Sequence, residues 1–517
     1  MNLRYFLKSI VHAHEKSWDF DTHLHLNNRN QEDITLNRIR LLKTRSESSV
    51  SHSNRANMER SSLSSSDQVK EVDWISKLPD DVLLMILSRL STQEAIRTSL
   101  VSKRWEDVWK HISHLVLDMS RIINCKEPLD GSNRVATLMT KVINNHRGHL
   151  ESCEIHHYSY QSVNGMLNTW IQALTSVKHT KVLTLEHHFT HPSCRLDMDG
   201  RKVSGYLDDI SPNVFSHPSL KSLSLHSYIL KSSYPLSYCP NLKTLKLLCI
   251  VASDVGVFNR VLASCPSLEV LVLNISCSKK IGGPLKIENS KLKLLEVMCS
   301  IKIDGIRVSV ASLDILAIYR NSLRRDEFSL TAPKLQFNRN FWVAGRFFRH
   351  ISYNISEEKI VHEEFVNLFG ELAWTASLSV SVDLMNLTQV ERLRQVLRLW
   401  NTHQMLELEI LFKNNDAPRK EGESCSQKKL WEENNNNDPF PNAEFRVSTV
   451  WMHNFSGSEE EFAFASCLIR QGTVLNNMMI KSTSFPATKK LKIEAAVAKL
   501  QALQTTEDQW DLVITCF

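Results

Sequence analysis

Between Leu78 and Trp109 the apolar positions follow a helical period. Val82, Leu83, Ile86, Leu87 and Leu90 form one stripe. Pro79, with its fixed φ and missing donor, suits the first turn of that helix, and Asp80 and Asp81 favour its positive end. Ser91 and Glu94 have the S-x-x-E spacing of a capping box, which starts a second helix. Trp105 and Trp109, at i and i+4, put two large aromatics on one face of a third helix, next to Val101 and Val108. About 40 residues of this kind rarely bury enough to stand alone, so the stripe must pack on another chain or on the rest of this one.

From about residue 115 the pattern changes to a recurring phrase, a small or polar residue followed by Leu-Lys/Glu-x-Leu-x-Leu. Clear copies are 218–225 (PSLKSLSL), 240–247 (PNLKTLKL) and 266–273 (PSLEVLVL). Weaker ones occur at 290–297, 311–318 and 332–337, with an earlier candidate at 181–185. Taking Leu220, Leu242, Leu268, Leu292, Leu313 and Leu335 as phase markers, the steps are 22, 26, 24, 21 and 22 residues, inside the leucine-rich window. Each copy has the alternation of a short strand with one buried face, and such a strand needs a neighbour stacked on each side. The leucines are therefore core. The alternates Ser222, Ser224, Thr244, Lys246, Val270 and Val272 are left free to face a partner.

The stretch 414–442 is rich in Asn, Lys, Glu and Pro, breaks the periodicity and reads as a linker. After it, 447–452 alternates as a strand, Ser458 and Glu461 repeat the capping-box spacing, and a helix is predicted over 459–471 with Phe462, Ala465, Cys467 and Leu468 inward. A strand near 478–480 and a helical pattern at 495–503 complete the chain. Residues 1 to about 70 are polar and Ser- and Asn-rich, which predicts a disordered leader.

Composition changes this picture little. The 517 residues allow about three domains on the usual prior, and 42% hydrophobic with 23% charged residues is ordinary for a soluble protein. A formal charge of +6 at this length is too mild to predict nucleic-acid binding. Eleven cysteines without a C-x-x-C pair or regular framework fit a reducing compartment, cytoplasm and/or nucleus. No run of about 18 uninterrupted apolar residues and no signal-peptide pattern is present, so neither secretion nor a membrane span is expected.

Candidate chemistry is sparse. The sequence has no phosphate loop, no G-x-S-x-G elbow, no H-E-x-x-H pair and no Gly-rich dinucleotide turn. No catalytic residue and no cofactor is expected. His156-His157 and His187-His188, with His191 and Cys194, lack a second ligand pair at structural-finger spacing and read as core or surface histidines, with no metal.

The segment Asp73 to Ile112, DWISKLPDDVLLMILSRLSTQEAIRTSLVSKRWEDVWKHI, resembles the F-box of plant F-box proteins almost position by position. The block 450–481, with Phe455, Gly457 and a Glu-rich helix start, resembles the FBD module that ends many plant F-box leucine-rich-repeat proteins. Chains of this family usually begin close to the box, and Met58 would give such a start. The resemblance implies an α/β chain in which a short helical F-box (71–115) is followed by a leucine-rich-repeat solenoid (116–412), a flexible linker (413–444) and an FBD-like α/β cap (445–517). It implies docking of a Skp-type adaptor, and through it a cullin, in a ubiquitin ligase whose target the repeats select. Docking positions carried over are Leu78, Pro79, Val82, Leu83, Ile86, Leu90, Val101, Ser102, Trp105 and Trp109. A leucine-rich scaffold outside any ligase is the alternative, and an enzyme with a concealed zinc or Cys/His site is ranked last.

Overall fold

The computed structural model describes residues 78–100, 104–119, 128–158, 165–188, 214–299, 303–319, 328–335, 350–358, 362–366, 377–399, 404–413, 431, 445–482, 487–503 and 512–516. The expected leader and nearly all of the expected linker lie outside these residues. The chain forms two units, one ending at Lys110 and one beginning at His111.

The first unit is helical: α1 (Asp80–Leu87), α2 (Thr92–Arg97), a 3-10 turn at Thr98–Leu100, and α3 (Trp105–Val108), which runs on into a 3-10 turn at Trp109–His111. Pro79 occupies the N-cap of α1, with Asp80 and Asp81 in the first turn. At α2 the predicted capping box is complete: the Glu94 N–H donates to Ser91 Oγ at 3.3 Å, and the Ser91 N–H donates to Glu94 Oε2 at 3.0 Å. Arg104 reaches back from the start of α3 to Asp80 at 2.5 Å. Leu83, Leu87, Ala95, Ile96, Trp105, Val108 and Trp109 are buried.

The second unit contains, in chain order, β1 (His114–Asp118), α4 (Pro128–Asn145), β2 (Ser152–Tyr158), α5 (Met166–Gln172), β3 (Val182–His188), β4 (Ser222–His226), β5 (Ile229–Leu230), β6 (Thr244–Ala252), α6 (Val255–Ala263), β7 (Val270–Cys277), β8 (Leu285–Ile287), β9 (Leu294–Cys299), β10 (Ile306–Ser309), β11 (Ile315–Tyr319), β12 (Phe328–Thr331), β13 (His350–Asn354), β14 (Ser377–Val382), α7 (Leu387–Arg398), β15 (Gln404–Phe412), β16 (Arg446–His453), α8 (Glu459–Arg470), β17 (Val474–Lys481), α9 (Ala487–Gln501) and β18 (Val513–Cys516). One sheet runs β1-β2-β3-β4-β6-β7-β9-β11-β13-β14-β15-β16-β17-β18, with β5 beside β6, and β12-β10-β8 form a second, small sheet.

The predicted repeat phrases supply β3, β4, β6, β7, β9 and β11, and the six phase leucines are buried. The residue after each of the first five phase leucines also stacks. Lys221 N–H donates to Lys181 O, Lys243 to Lys221 O, Glu269 to Lys243 O, Lys293 to Glu269 O and Asp314 to Lys293 O, at 2.7–2.8 Å. From Lys243 on, their side chains alternate in charge, with Lys243–Glu269 at 2.8 Å and Lys293–Glu269 at 3.3 Å.

Strand direction reverses once. β1 to β11 are parallel along the sheet, β11 pairs antiparallel with β13, and β13 to β18 are parallel again. Because crossovers between parallel strands are right-handed, reversing direction while the sheet keeps growing the same way moves the crossover helices to the other face. The burial pattern follows. Up to β6 the buried alternates are Leu183, Leu223, Leu245 and their row. From β14 onward they are Leu378, Leu408, Val450 and Met478, which register with Ile351 and Ala317 on the opposite face. This second face forms one apolar cluster with Val390 and Leu393 of α7, Phe464 and Leu468 of α8, and Val497 of α9. Trp431, inside the expected linker, belongs to it and meets Phe464 edge-on at 4.9 Å.

Gly457, before α8, has φ of +70°, and a Cβ there would lie 3.3 Å from Lys492 O and 3.4 Å from Ala496 Cβ. A Gly457→Ala chain is expected to lose about 1–2 kcal/mol in denaturant unfolding, from left-handed strain and crowding of α9. An unchanged midpoint would mean that this loop is not pressed against the helix.

Candidate docking surfaces

α1 divides its apolar residues between two sides. Leu83 and Leu87 point inward and are fully buried, whereas Met85 (55% exposed) and Ile86 (38%) point outward. Pro79 is exposed, Leu78, Val82 and Leu90 are half-buried, and Leu100 adds a further exposed apolar side chain. Trp105 and Trp109 are buried, and their indole N–H groups have no hydrogen-bond partner among the described residues, so they act there as packing bulk. Val101 and Ser102 lie outside the described residues. Of the docking positions named from the sequence, Pro79 and Ile86 are thus open, Leu78, Val82 and Leu90 partly so, and Leu83, Trp105 and Trp109 are interior. Met85 and Leu100 lie off the predicted stripe, and their exposure as apolar residues is the signal a helical projection discards.

On the sheet, the alternates of the first strands face outward. Ser222, Thr244 and Lys246 are half-buried, and Ser224, at 8% exposed, is bonded to His226 at 3.1 Å. Val270 and Val272 are not free to meet a target: they are 4% and 3% exposed because the second core already covers that face at β7. The cover is specific. Phe365 joins this cluster and stacks on Tyr353 at 4.7 Å, Glu364 pairs with Lys246 at 3.5 Å, and Glu358 pairs with Lys293. His362 bonds Tyr353 Oη at 3.0 Å and Gln395 at 2.7 Å, which ties this segment to α7. Among the described residues the uncovered part of the face therefore spans β1 to β6, where Glu364 meets its edge at Lys246.

Strand alternation separates the two histidine pairs. His157 and His187 turn into the core, where His157 Nδ1–H donates to Tyr158 O at 2.9 Å, so its Nε2 accepts from the Tyr228 hydroxyl at 2.5 Å. Burial lowers His157 to about 4 and His187 to about 3, so both are neutral at pH 7. His156 and His188 face outward, stacked with ring centroids 5.3 Å apart, beside Glu154, Glu186 and Asp118. Burial works against charge on His156, but hydrogen bonds to Glu154 and Glu186 outweigh it and hold the ring up at about 10. The uncovered face is thus anionic at one end, around β2 and β3.

A third polar group is buried near the C-terminal end. Ser379 Oγ donates to Glu409 Oε2 at 2.5 Å, and His453 Nε2 lies 2.8 Å from Glu409 Oε1, with Trp451 stacked on the imidazole. The carboxylate stands between hydroxyl and imidazole, so the imidazole cannot act as base on the serine, and the trio is structural rather than a nucleophile–base pair. Sequence reading missed it because Ser379, Glu409 and His453 come from three strands that only the register brings together. Among the described residues no helix is long and apolar enough to cross a membrane.

Comparison with known proteins agrees with these features. The F-box domain family matches residues 75–116. The family described as FBD-associated F-box protein At5g56370, LRR repeats, matches residues 167–338. F-box protein At1g80960 of Arabidopsis thaliana is 65% identical over 458 residues, covering 87% of this chain and 91% of that protein. F-box protein At3g60790 of the same plant is 44% identical over 461 residues, 86% of this chain and 90% of that protein. F-box/FBD/LRR-repeat protein At5g22660, also from Arabidopsis thaliana, is 26% identical over 226 residues, 44% of this chain and 45% of that protein. With a helical box of the predicted form, stacked leucine strands and relatives similar over nearly their whole length, the chain belongs to the plant F-box/FBD/leucine-rich-repeat protein family.

Proposed function

We propose that this chain is a substrate-recognition subunit of a Skp–cullin–F-box ubiquitin ligase. The observation that carries the reading is the division of the helical unit, in which Leu83, Leu87, Trp105 and Trp109 are buried while Pro79, Met85, Ile86 and Leu100 stay outside. Exposed apolar side chains gathered on a small unit of this kind are the usual mark of a protein-binding surface. The open residues would meet the Skp-type adaptor, and the buried ones would hold the helices that present them.

The remainder of the chain would act as a leucine-rich solenoid closed by an FBD-like end, holding its target on the face of β1 to β6 that carries Ser222, Thr244 and Lys246, Ser224 being buried there against His226. Val270 and Val272 drop out of that surface. The chain itself would be non-catalytic and work in the cytoplasm and/or nucleus: it raises the effective concentration of the target beside the ubiquitin-transferring subunits. Assembly tests this reading. Full-length chain, adaptor and cullin are mixed and separated by size, and the chain is expected to travel with the cullin only when the adaptor is present. Failure to join at any adaptor concentration would favour a scaffold outside the ligase.

A further inference from the structure

We infer that the outward histidines of β2 and β3 form a zinc site with Asp118 and Glu186, a site independent of adaptor docking. Register brings the residues together: Asp118 pairs with His156 across β1 and β2, His156 with Glu186 across β2 and β3, and His188 follows two residues along β3 on the same face. His156 Nδ1 lies 3.0 Å from His188 Nε2 and 3.2 Å from Glu186 Oε2, and His188 Nε2 lies 3.8 Å from Glu186 Oε1. Asp118, His156 and His188 each bring a ligand atom to within 4.8 Å of the other two. A tetrahedral zinc with bonds of about 2.0–2.1 Å sets its ligand atoms roughly 3.3 Å apart, so His156, His188 and Glu186 are already near the required spacing, with Asp118 next to the two histidines.

The outer contact has the expected form as well. His156 Nε2 donates to Glu154 Oε1 at 2.7 Å, the arrangement in which a carboxylate orients a metal-binding imidazole and leaves the other ring nitrogen, here Nδ1, for the ion. Two imidazoles with carboxylates suit zinc, and soft-metal sulfur ligands are missing from the group. Without an ion the same atoms compete: His188 Nε2 and the Glu186 carboxylate both face His156 Nδ1, which has a single proton to donate. A zinc ion replaces that proton and satisfies all three. It would pin β1, β2 and β3 together at the anionic end of the uncovered face.

The test is titration of Zn²⁺ into the full-length chain without a histidine tag, followed calorimetrically, with Co²⁺ absorption as a second readout of tetrahedral geometry. One ion per chain is expected, with the visible bands of tetrahedral cobalt. His156→Gln and His188→Gln should each weaken binding at least tenfold, Glu154→Gln by about tenfold, and the exposed His149→Gln not at all. Circular dichroism checks folding. Should His156→Gln unfold, Glu186→Gln and His188→Gln carry the comparison. No zinc uptake by the native chain, or uptake unchanged in the folded His188→Gln and Glu186→Gln chains, would overturn the assignment. Adaptor binding by those variants, expected to be native, separates this result from the ligase reading.

Discussion

Replacing Glu409 by alanine is expected to destabilise the second unit by about 1–3 kcal/mol in denaturant unfolding, the cost of leaving buried polar partners without their acceptor. Glu409 and His453 are both almost fully buried, so the truncation strands a buried imidazole and leaves the Ser379 hydroxyl without its acceptor. Among the described residues neither ring nitrogen of His453 completes a hydrogen bond, and Nε2 only approaches Glu409 Oε1, at 2.8 Å, so the histidine has no second anchor to fall back on. A double-mutant cycle of Glu409→Ala with His453→Ala should show a coupling of about 0.5–3 kcal/mol.

The pH dependence has a fixed sign. Burial alone would raise the Glu409 carboxyl, but bonds from His453 and Ser379 outweigh it and hold the group below the usual carboxylate range. A depressed acid contributes stability that is complete above its unfolded value, about 4.3, and is lost as pH falls through the folded value. Glu409→Ala should therefore flatten the acid side of the stability curve as well as lower the plateau. Equal slopes in the two chains would show that the carboxylate is not paired in solution.

Leu87→Ala is expected to cost about 2–5 kcal/mol within the helical unit, since it removes a fully buried side chain from a core that small. The first unit contributes little other buried apolar surface to absorb the loss. Limited proteolysis between residues 78 and 110 is the direct readout, with cleavage greatly accelerated in the variant. Native resistance would mean that α1 does not pack through Leu87.

The local structure of this chain is largely legible in its sequence. Pro79, the two S-x-x-E boxes and the L-x-L phrases each act through neighbours a few residues away, and they appear where the sequence places them, apart from the 332–337 phrase, whose end lies outside the described residues. The assignment of faces is not. Residues 222–225 (SLSL) and 244–247 (TLKL) alternate, but 270–273 (VLVL) is continuously apolar, the mark of a strand buried on both faces. That run alone argues against Val270 and Val272 as target-facing residues. In β14, 377–382 (SLSVSV) alternates again, yet its apolar face is the opposite one, because the sheet reverses at β13. Alternation fixes that a strand has two faces and is silent on which one a distant crossover covers. In the helical unit a similar limit applies: the stripe is correct as a period, while the choice between Leu87 inside and Ile86 outside depends on where α3 lies.

The central claim is that the outward apolar residues of the helical unit dock an adaptor. Its most direct test is titration of a purified Skp-type adaptor into the full-length chain, native and Ile86→Asp with Met85→Asp, at matched folding by circular dichroism. The account predicts saturable one-to-one binding by the native chain and at least a hundredfold weakening in the variant, whose unfolding midpoint stays native because neither residue is buried. Absence of binding by the native chain, or equal binding by both, would contradict it.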